Sequence, residues 1–390
     1  MNIVQFVHPD FLSSQSMPRF AKMIADGMRV RGHKVDIWTA KPLAYNIPVP
    51  TRFKKWLGYI DQFIFFPLQV HLRLHRLQSN TLFIFCDQAL GPWVPLVAHR
   101  PHVIHVHDFM ALRSALGEFG QNPTSWTGKT YQWLIRRGFN RGKIFLSVSE
   151  NTRQQLQRFL QRKPAVSEVI YNGLNYPFRF MSPTESMAEL QPAGLVPPPE
   201  GFLLHVGGNE WYKNRQGLLE IYDAYAQQTE NPLPLWMVGS EPSIALKEQA
   251  LRVTPKGKVR FISGLSNQQV CAAYSTARLM VFPSHAEGFG WPIAEAMASG
   301  CLVLTTGEAP MTEVGGGAAF YISPKPMGNS EEWAALAGAT ISKILQLTPD
   351  EVRRRRELGF LQIAQFDAEQ TLNAYEHAYQ QALASSKPEA

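Results

Sequence analysis

The sequence is poor in cysteine and has no long apolar run. Its three cysteines, Cys86, Cys271 and Cys301, lie far apart and form neither a CxxC pair nor a disulfide framework, which favours a reducing compartment. No stretch approaches the roughly 18 apolar residues of a membrane-spanning helix. The first residues, MNIVQFVHPDF, contain no basic region and only a short apolar run, unlike a signal peptide. We therefore expect a soluble, cytoplasmic protein.

A dinucleotide fingerprint and a nucleic-acid-binding motif are also missing. No GxGxxG follows a predicted strand, which speaks against a dinucleotide-dependent dehydrogenase. Residues 1–200 contain 23 Lys+Arg and 12 Asp+Glu, whereas residues 201–390 contain 15 and 19. This basic first half shows no interleaved stripe of arginine and aromatic residues, so we predict no nucleic-acid partner. An anionic acceptor or a membrane surface fits the charge better.

What is present is the pattern of two α/β units, as expected for 390 residues. NIVQFV at 2–7 reads as a buried strand, 19–32 as a helix and KVDIWTA at 34–40 as a second strand. This order is the opening of a parallel sheet. Similar apolar runs predict further strands at 81–87, 102–108 and 143–150, and then, after residue 200, at 201–208, 233–239, 258–264, 277–284 and 300–306.

The division between the units is predicted from composition. Residues 181–200 carry five prolines and no sustained periodicity, which is typical of a linker. The last helical stretch is long enough to cross back over the domain junction. The predicted organisation is an N-terminal domain at 1–185, a linker at 186–200, a C-terminal domain at 201–366 and a C-terminal helix at 367–390 that returns toward the N-terminal domain.

The stretch HAEGFGWPIAEAMASGC, residues 285–301, is the most informative motif. Gly288 and Gly290 permit a tight turn, and Pro292 suits the first turn of a helix. The free N–H groups at such a helix start favour phosphate, and Glu287 and Glu295 beside it could accept hydrogen bonds from sugar hydroxyls. The alternative is structural: Glu295 favours the helix dipole and Glu287 caps the loop.

At this point the chain resembles a known family. EGFGWPIAE is similar to the E-x7-E element of retaining, nucleotide-sugar-dependent glycosyltransferases of family 4 (glycosyl transferases group 1). Further motifs resemble the family in the right order: RGHKVDIWT, HVHDF, LSVSENTRQQL, VIYNGLN, HVGGNEWYKNRQGLL and the block from VRFISG to EAMASG. The resemblance extends from residue 1 to about 380. It implies a GT-B fold, in which two Rossmann-like, doubly wound parallel-sheet domains face each other across a cleft.

The resemblance also implies roles for single residues. Glu287 would contact hydroxyls of the transferred sugar, Glu295 the ribose hydroxyls of the nucleotide, and His107 the sugar near the scissile bond. Lys213 would bind the diphosphate and offset its developing charge. The donor-binding set completes the prediction: Gly207, Gly208, Gly288, Phe289, Gly290 and Ser16. The implied reaction retains the anomeric configuration without a covalent protein nucleophile, and no metal and no cofactor beyond the nucleotide-sugar co-substrate is expected.

Each role has a structural alternative. Lys213 could be a solvated lysine at a helix start. His105 and His107 share one face of a strand, so one or both could be hydrogen-bonded core histidines. A His-x-His pair also suggests a metal, but no third ligand stands at a telling spacing.

The chain departs from the family pattern at two places. Gln15 and Ser16 replace two glycines that are common before Arg19, although the small Ser16 could still hydrogen-bond to the donor. Asn209 replaces a common arginine, so one phosphate cation is missing unless Arg215 takes its place. Arg215 is otherwise read as a surface residue of a helix.

Residues 52–76 form a basic, aromatic-rich segment with five Lys/Arg, two His and one Asp. Such a segment could lie on an anionic membrane surface, or it could be a helix packed on the sheet with its lysines in water.

We expect a retaining hexosyltransferase that uses a GDP- or UDP-linked sugar and a glycan or lipid-linked acceptor in cell-surface polysaccharide or lipopolysaccharide synthesis. A nucleotide-sugar epimerase, a glycan phosphorylase or a non-catalytic sugar-nucleotide-binding protein are the alternatives on this scaffold.

Overall fold

A computed structural model describes residues 1–11 and 16–385, except for the side chain of Ser16. The chain divides into two compact units. The first comprises residues 1–175 together with the segment from Ala368 onward, and the second comprises residues 176–367.

The first unit is built on a parallel sheet of six strands in the order β2-β1-β3-β4-β5-β6. The strands are β1 Asn2–Phe6, β2 Lys34–Trp38, β3 Leu82–Phe85, β4 His102–Val106, β5 Ile144–Ser147 and β6 Val166–Val169. Alternate residues belong to separate apolar clusters on the two faces of the sheet: Phe83 and Phe85 in one, Leu82 and Ile84 in the other. Burial on both faces explains why a central strand such as β3, LFIF, reads as a continuous apolar run.

Helices cover both faces of this sheet. They are α1 Ser16–Val30, α2 Thr51–Ile60, α3 Phe66–Leu74, α4 Met110–Ala115, α5 Trp126–Phe139 and α6 Glu150–Phe159, and the C-terminal helix α15 Ala368–Ala384 packs on the same unit. Phe20, Ile24 and Met28 form the buried stripe of α1 at helical spacing. The buried rings of Tyr375 and Tyr379 bring α15 into the cluster that contains Phe20.

The second unit repeats the design with another six-stranded parallel sheet, in the order β12-β11-β10-β7-β8-β9. Its strands are β7 Leu203–Gly207, β8 Leu235–Gly239, β9 Val259–Ile262, β10 Leu279–Phe282, β11 Val303–Thr306 and β12 Phe320–Ile322. Its helices are α7 Pro183–Leu190, α8 Arg215–Gln228, α9 Ile244–Leu251, α10 Asn267–Thr276, α11 Trp291–Ala298, α12 Met311–Gly315, α13 Glu331–Leu345 and α14 Pro349–Ile363.

In each sheet the strand order reverses once, so that the strands on either side of this point are added toward opposite edges of the sheet. The reversal lies between β1 and β3 in the first sheet and between β7 and β10 in the second. Loops that leave the carboxyl ends of two such strands diverge, and the crevice between them is where doubly wound sheets bind ligands. The topology therefore predicts two candidate ligand-binding positions, one in each sheet.

The proline-rich stretch is more ordered than its composition predicts. Helix α7 begins with a capping box, in which Ser182 accepts from the Glu185 amide and Glu185 accepts from the Ser182 amide. Glu189 accepts a hydrogen bond from Gln268, which ties the end of α7 to α10. The change of unit falls at residues 175–176, so 186–200 lies within the second unit.

Residues 51–74 form one continuous helical stretch with a π-helical turn at Asp61–Phe65. The Phe66 ring packs against Phe6 and Trp93 in the core, whereas Trp56 and Leu72 are exposed. Among the described residues, the helices are too short or too polar for any of them to span a bilayer.

Candidate functional site

The second unit carries its predicted residues at the point between β7 and β10. The glycine turn after β7 leads to Lys213, and the loop after β10 leads to Glu287. Two hydrogen bonds tie these loops together: the His285 amide donates to the Tyr212 carbonyl at 2.7 Å, and Asn214 Nδ2 donates to the Pro283 carbonyl at 2.9 Å. The two motifs are thus held as one rigid element.

Asn214 is the residue that shapes the first loop. It takes a left-handed conformation, with φ of 51°, and its buried side chain accepts from the Gly217 amide at 3.1 Å to cap α8. Asparagine tolerates this conformation and supplies the capping oxygen, so one residue both ends the loop and starts the helix. Its side-chain contacts were not predicted from the sequence, although the K-N segment contains it.

Lys213 and Glu287 form an ion pair. Lys213 Nζ donates to both carboxylate oxygens, at 2.8 and 3.0 Å. Only 12% of the lysine side chain and 7% of the glutamate side chain are exposed. The ammonium group also lies 4.9 Å from the centre of the Phe282 ring, within the range of a cation–π contact. The alternative of a solvated lysine is therefore wrong, and the residues implied for phosphate and sugar contact each other.

Gly288 and Gly290 were expected to form a tight turn before α11, and one of the two takes a left-handed conformation. Gly290 takes φ of 103° immediately before the helix, and of the two glycines it is the one in the left-handed region. Phe289 is buried, with its ring edge-on to Phe366 at 5.2 Å. The loop that carries Glu287 therefore enters the helix by a turn that is anchored in the core.

Glu295 lies one turn into α11 and accepts a hydrogen bond from the Tyr274 hydroxyl at 3.1 Å. Tyr274 is fully buried in α10, and burial together with the nearby Glu295 charge raises the pKa of its phenol well above the usual range. The tyrosine therefore stays protonated and fixes one carboxylate oxygen. Nothing in its surroundings in the sequence, VCAAYSTA, distinguishes it from a core aromatic residue.

Arg215 is buried, not a surface residue of α8. Its Nη1 group donates to Asn209 Oδ1 and to the Ser240 carbonyl. Its Nε and Nη2 groups have no hydrogen-bond partner among the described residues, and burial lowers the pKa of the guanidinium. Burying a cation whose N–H donors lack partners costs free energy unless an anion accepts hydrogen bonds from them. Asn209 stands where the family commonly has an arginine, and it is in direct contact with Arg215.

His205 lies inside β7, next to Phe282, whose ring also contacts the Lys213 ammonium group. Its Nδ1 atom lies 3.0 Å from the Val281 carbonyl, and its ring stacks on Phe282. Burial lowers the pKa of His205 to about 3, so the ring is neutral at physiological pH.

His105 and His107 belong to the first unit. His105 lies in β4 and His107 directly follows this strand, and both rings contact the ring of Phe20. His105 is a core histidine, hydrogen-bonded through Nε2 to the Tyr379 hydroxyl at 2.6 Å. His107 Nε2 lies 2.9 Å from the Cys86 carbonyl, and burial lowers its pKa, so its ring is neutral with the proton on Nε2. Its Nδ1 atom then carries a lone pair.

The remaining predictions concern the first loop and metals. Gln15 and the side chain of Ser16 lie outside the described residues. Within 1–11 and 16–385, no group of three or more His, Cys, Asp or Glu side chains is placed to hold a metal ion.

Two family models match successive parts of this chain. Residues 17–176 match the model described as Glycosyltransferase Family 4, and residues 187–334 match the model described as Glycosyl transferases group 1. O-antigen chain mannosyltransferase B of Escherichia coli is 30% identical over 252 residues, which are 62% of each chain. O-antigen chain mannosyltransferase RfbU of Salmonella typhimurium is 26% identical and aligns over 67% of this chain and 65% of that one. The chain thus spans slightly less than two thirds of these relatives.

Solved structures resemble nearly the whole chain. Anabaena HepE in complex with UDP and glucose superposes with a TM-score of 0.70 at 17% identity, over 98% of this chain and 100% of that one. Sucrose-phosphate synthase from Thermosynechococcus elongatus gives 0.74 at 18%, over 99% and 100%. WaaG, a glycosyltransferase involved in lipopolysaccharide biosynthesis, gives 0.66 at 18%, over 92% and 95%. At these identities the likeness concerns the fold alone, which is GT-B with two Rossmann-like parallel-sheet units, and the predicted fold class is confirmed.

Proposed function

We propose that this chain, which belongs to glycosyltransferase family 4 (glycosyl transferases group 1), transfers a hexose from a nucleotide-diphosphate sugar to a glycan or lipid-linked acceptor. The observation that carries the donor site is the buried Lys213–Glu287 pair between the carboxyl ends of β7 and β10. The pair lies at the place where this type of sheet binds ligands, which supports the proposal that Lys213 binds phosphate and Glu287 binds sugar hydroxyls.

Three side chains and two glycine-containing turns hold the donor in this proposal. Glu295, oriented by Tyr274, accepts hydrogen bonds from the ribose hydroxyls of the nucleotide. Lys213 binds the diphosphate, and Arg215 supplies the second cation through its free Nε and Nη2 groups. Gly207, Gly208 and the 288–290 turn bring backbone N–H groups close to the phosphates and the sugar.

The chemistry follows from this arrangement. As the bond between the anomeric carbon and the phosphate oxygen breaks, negative charge grows on the diphosphate, and Lys213 stabilises it at a fixed position. Glu287 holds the sugar hydroxyls, and His107 contacts the sugar through Nδ1. The acceptor oxygen enters on the face that the phosphate leaves, so that configuration is retained without a protein nucleophile. The lysine and arginine charges take the place that a metal ion occupies in other transferases.

The transferred sugar is mannose in this proposal, and the product belongs to cell-surface polysaccharide or O-antigen synthesis. The support is that the relatives with 30% and 26% identity are both named as O-antigen chain mannosyltransferases. The nucleotide is GDP or UDP.

A ligand panel tests the donor site. We expect one of UDP, GDP, ADP and dTDP to raise the melting temperature of the protein, with and without a chelator. A ligand that binds only the folded state adds about 2.7 kcal/mol at a hundredfold excess over its dissociation constant, or about 5–10 °C for a unit of this size. The matching mannose donor is then offered with lipid-linked glycan acceptors and the product linkage is determined. No shift with any nucleotide, or a shift abolished by the chelator, would contradict the proposal.

We also propose that the 52–76 segment rests on an anionic membrane, on the inner face of the cell membrane. Trp56, Ile64 and Leu72 are exposed along it, and so are the basic residues Arg52, Lys55 and Arg76. Its one acid, Asp61, is buried and accepts hydrogen bonds from the Ala44 and Tyr45 amides. Aromatic and basic side chains on one exposed stretch suit the boundary between headgroups and acyl chains.

Vesicle sedimentation tests this surface. The protein is expected to bind vesicles of phosphatidylcholine with phosphatidylglycerol and not vesicles of phosphatidylcholine alone. Changing Arg52 and Lys55 to glutamate should abolish binding, whereas the same charge change at exposed Arg353 and Arg354 in α14 should not. Equal loss in both variants would mean that net charge alone, and not this segment, attracts the protein.

A further inference from the structure

The first unit contains a pocket of about 590 Å³. Its volume is within the range of about 300–1,000 Å³ that is common for small-molecule sites. Three elements form its walls: the π-helical turn, the 3₁₀ segment Gln88–Leu96 and α5. The side chains that line it are mostly apolar, and two arginines join them: Phe63, Pro92, Pro95, Leu134, Arg137 and Arg141.

Close packing holds these walls in place. Helix α5 lies against the 3₁₀ segment backbone to backbone, because a Cβ atom on Gly138 would overlap the Gly91 carbonyl oxygen. The π-helical turn is anchored to the same segment, since Trp93 Nε1 donates to the Gln62 carbonyl at 2.8 Å. The pocket is therefore preformed in the fold.

The surroundings of the pocket are positively charged. The three stretches of chain that form it, 62–86, 88–107 and 119–149, contain no Asp or Glu. Arg137 lies 5.3 Å from the centre of the Trp133 ring, and among the described residues neither Arg137 nor Arg141 forms an ion pair. Apolar walls beside two such cations suit a ligand with a hydrocarbon part and a phosphate group.

The pocket adjoins the 52–76 segment. The ring of Phe63 lies 6.0 Å from the ring of Tyr131 in α5, so the segment and this helix are in contact. Trp126 and Trp133 stand two turns apart on α5, and 78% and 54% of them are exposed. Exposed tryptophan is typical of the boundary between headgroups and acyl chains. The pocket thus lies beside the surface that we propose to rest on the membrane.

The position of the pocket also indicates which lipid it takes. Ala98, another lining residue, precedes β4, and Arg141 precedes β5, so both stand near the amino ends of the strands. Sheets of this type bind the ligands on which they act at the carboxyl ends. The occupant is therefore a lipid of the membrane itself and not the acceptor that reacts.

We propose that this pocket binds one anionic phospholipid of the bilayer. Part of an acyl chain lies between Phe63, Pro95 and Leu134, and the lipid phosphate accepts hydrogen bonds from Arg137 and Arg141. A lipid held in a preformed pocket fixes the orientation of the first unit on the membrane, which a charged surface alone does not do. This inference rests on the proposed membrane contact of residues 52–76, because the bilayer supplies the lipid.

Short-chain lipids test the pocket in solution, without a membrane. Dihexanoyl phosphatidylglycerol, dihexanoyl phosphatidylcholine and inorganic phosphate are titrated calorimetrically into the full-length protein, with both lipids below the concentrations at which they form micelles. We expect one phosphatidylglycerol per chain, bound at least about tenfold more tightly than either of the other ligands, because choline repels the arginines and phosphate lacks the acyl chains. Equal affinity for the two lipids, or for lipid and phosphate, would overturn the inference.

Variants separate the two parts of the site. Changing Arg137 and Arg141 to glutamate should lower the affinity for the phosphatidylglycerol at least about tenfold, whereas the matched change of exposed Arg353 and Arg354 in α14 should leave it unchanged. Ala98→Trp fills the pocket and should lower the affinity without changing the charge. The arginine variant alters exposed side chains alone, so it decides the question even if Ala98→Trp does not fold.

Vesicle binding distinguishes failure of the pocket from failure of the membrane surface. If the wild type sediments with anionic vesicles but binds no soluble phosphatidylglycerol, or if the two arginine variants bind this lipid equally well, the pocket is not a lipid site and the proposed membrane contact stands. If the wild type binds no vesicles, the membrane proposal fails and this inference falls with it.

Discussion

Replacing Lys213 by methionine is expected to destabilise the second unit by about 3 kcal/mol, since removal of one member of a buried ion pair costs about 3–5 kcal/mol. Glu287 would keep 7% exposure and lose both of its bonds from Nζ, at 2.8 and 3.0 Å. The lower end of the range applies because 12% of the lysine side chain reaches solvent in the intact pair. The cost comes from the carboxylate left behind, not from the missing lysine.

The loss is measured as a melting temperature. About 3 kcal/mol corresponds to a decrease of about 6–12 °C for a unit of 150–250 residues, and the second unit, residues 176–367, is of this size. The transition can be followed by calorimetry at pH 7 without ligand. Glu287→Gln should cost less, about 1–2 kcal/mol, because the amide still accepts a hydrogen bond from the ammonium group.

The double variant decides whether the pair is coupled. Lys213→Met with Glu287→Gln removes both charges, so it should be more stable than Lys213→Met alone and give a coupling energy above about 1.5 kcal/mol. If the two single losses add to the double within about 0.5 kcal/mol, the residues do not form a pair and the reasoning is refuted. Glu287→Gln also releases Lys213 for phosphate, so its affinity for the nucleoside diphosphate should be equal to or higher than that of the wild type.

Four further outcomes are expected. Glu295→Ala should weaken nucleotide binding and Glu287→Ala mainly lower turnover; equal losses of affinity in calorimetric titrations would contradict this division. Tyr274→Phe should cost about 1.5–3 kcal/mol of stability, the value of a hydrogen bond to a charged group, as read from urea unfolding. Arg215→Met should reduce nucleoside diphosphate affinity at least tenfold and leave the ligand-free melting temperature nearly unchanged, whereas an unchanged affinity would exclude Arg215 from the donor site. The folded-state pKa of His205, about 3, lies below the usual histidine value of about 6.5. Its contribution to stability is therefore complete above pH 6.5 and is lost as the pH falls; between pH 7 and 5 the loss is about 2 kcal/mol, and His205→Asn should remove that part of the slope.

Local signals allowed much of the fold to be predicted. Helix α8 spans Arg215–Gln228, where the apolar residues recur at helical spacing in the sequence. The start of α7 was also encoded locally, in the S-P-T-E of a capping box, but the neighbouring prolines pointed to a linker. The three-residue β12 is too short to produce a recognisable apolar run.

Candidate residues for the site could be named from the sequence, but their contacts could not be predicted from it. Glu287 and Lys213 were found from motifs, but their pairing joins positions 74 residues apart and depends on how β7 and β10 pair in the sheet. The burial of Arg215 follows from the close approach of neighbouring strand ends, which no local pattern reports. In the first unit, His8 Nε2 lies 2.9 Å from Asp87 Oδ2, and this contact likewise depends on β1 and β3 being neighbours.

The chain leaves the first unit after Asn175 and returns to it at Ala368, where α15 places Tyr375 and Tyr379 in the core beside His105. During synthesis at about 5–20 residues per second, the ribosome needs about 10–40 s to pass through the intervening 192 residues, 176–367. The second unit is therefore complete before the first, although its sequence begins later. Until α15 emerges, part of one apolar face of the first sheet stays exposed, because α1 covers this face only together with Tyr375 and Tyr379 of α15.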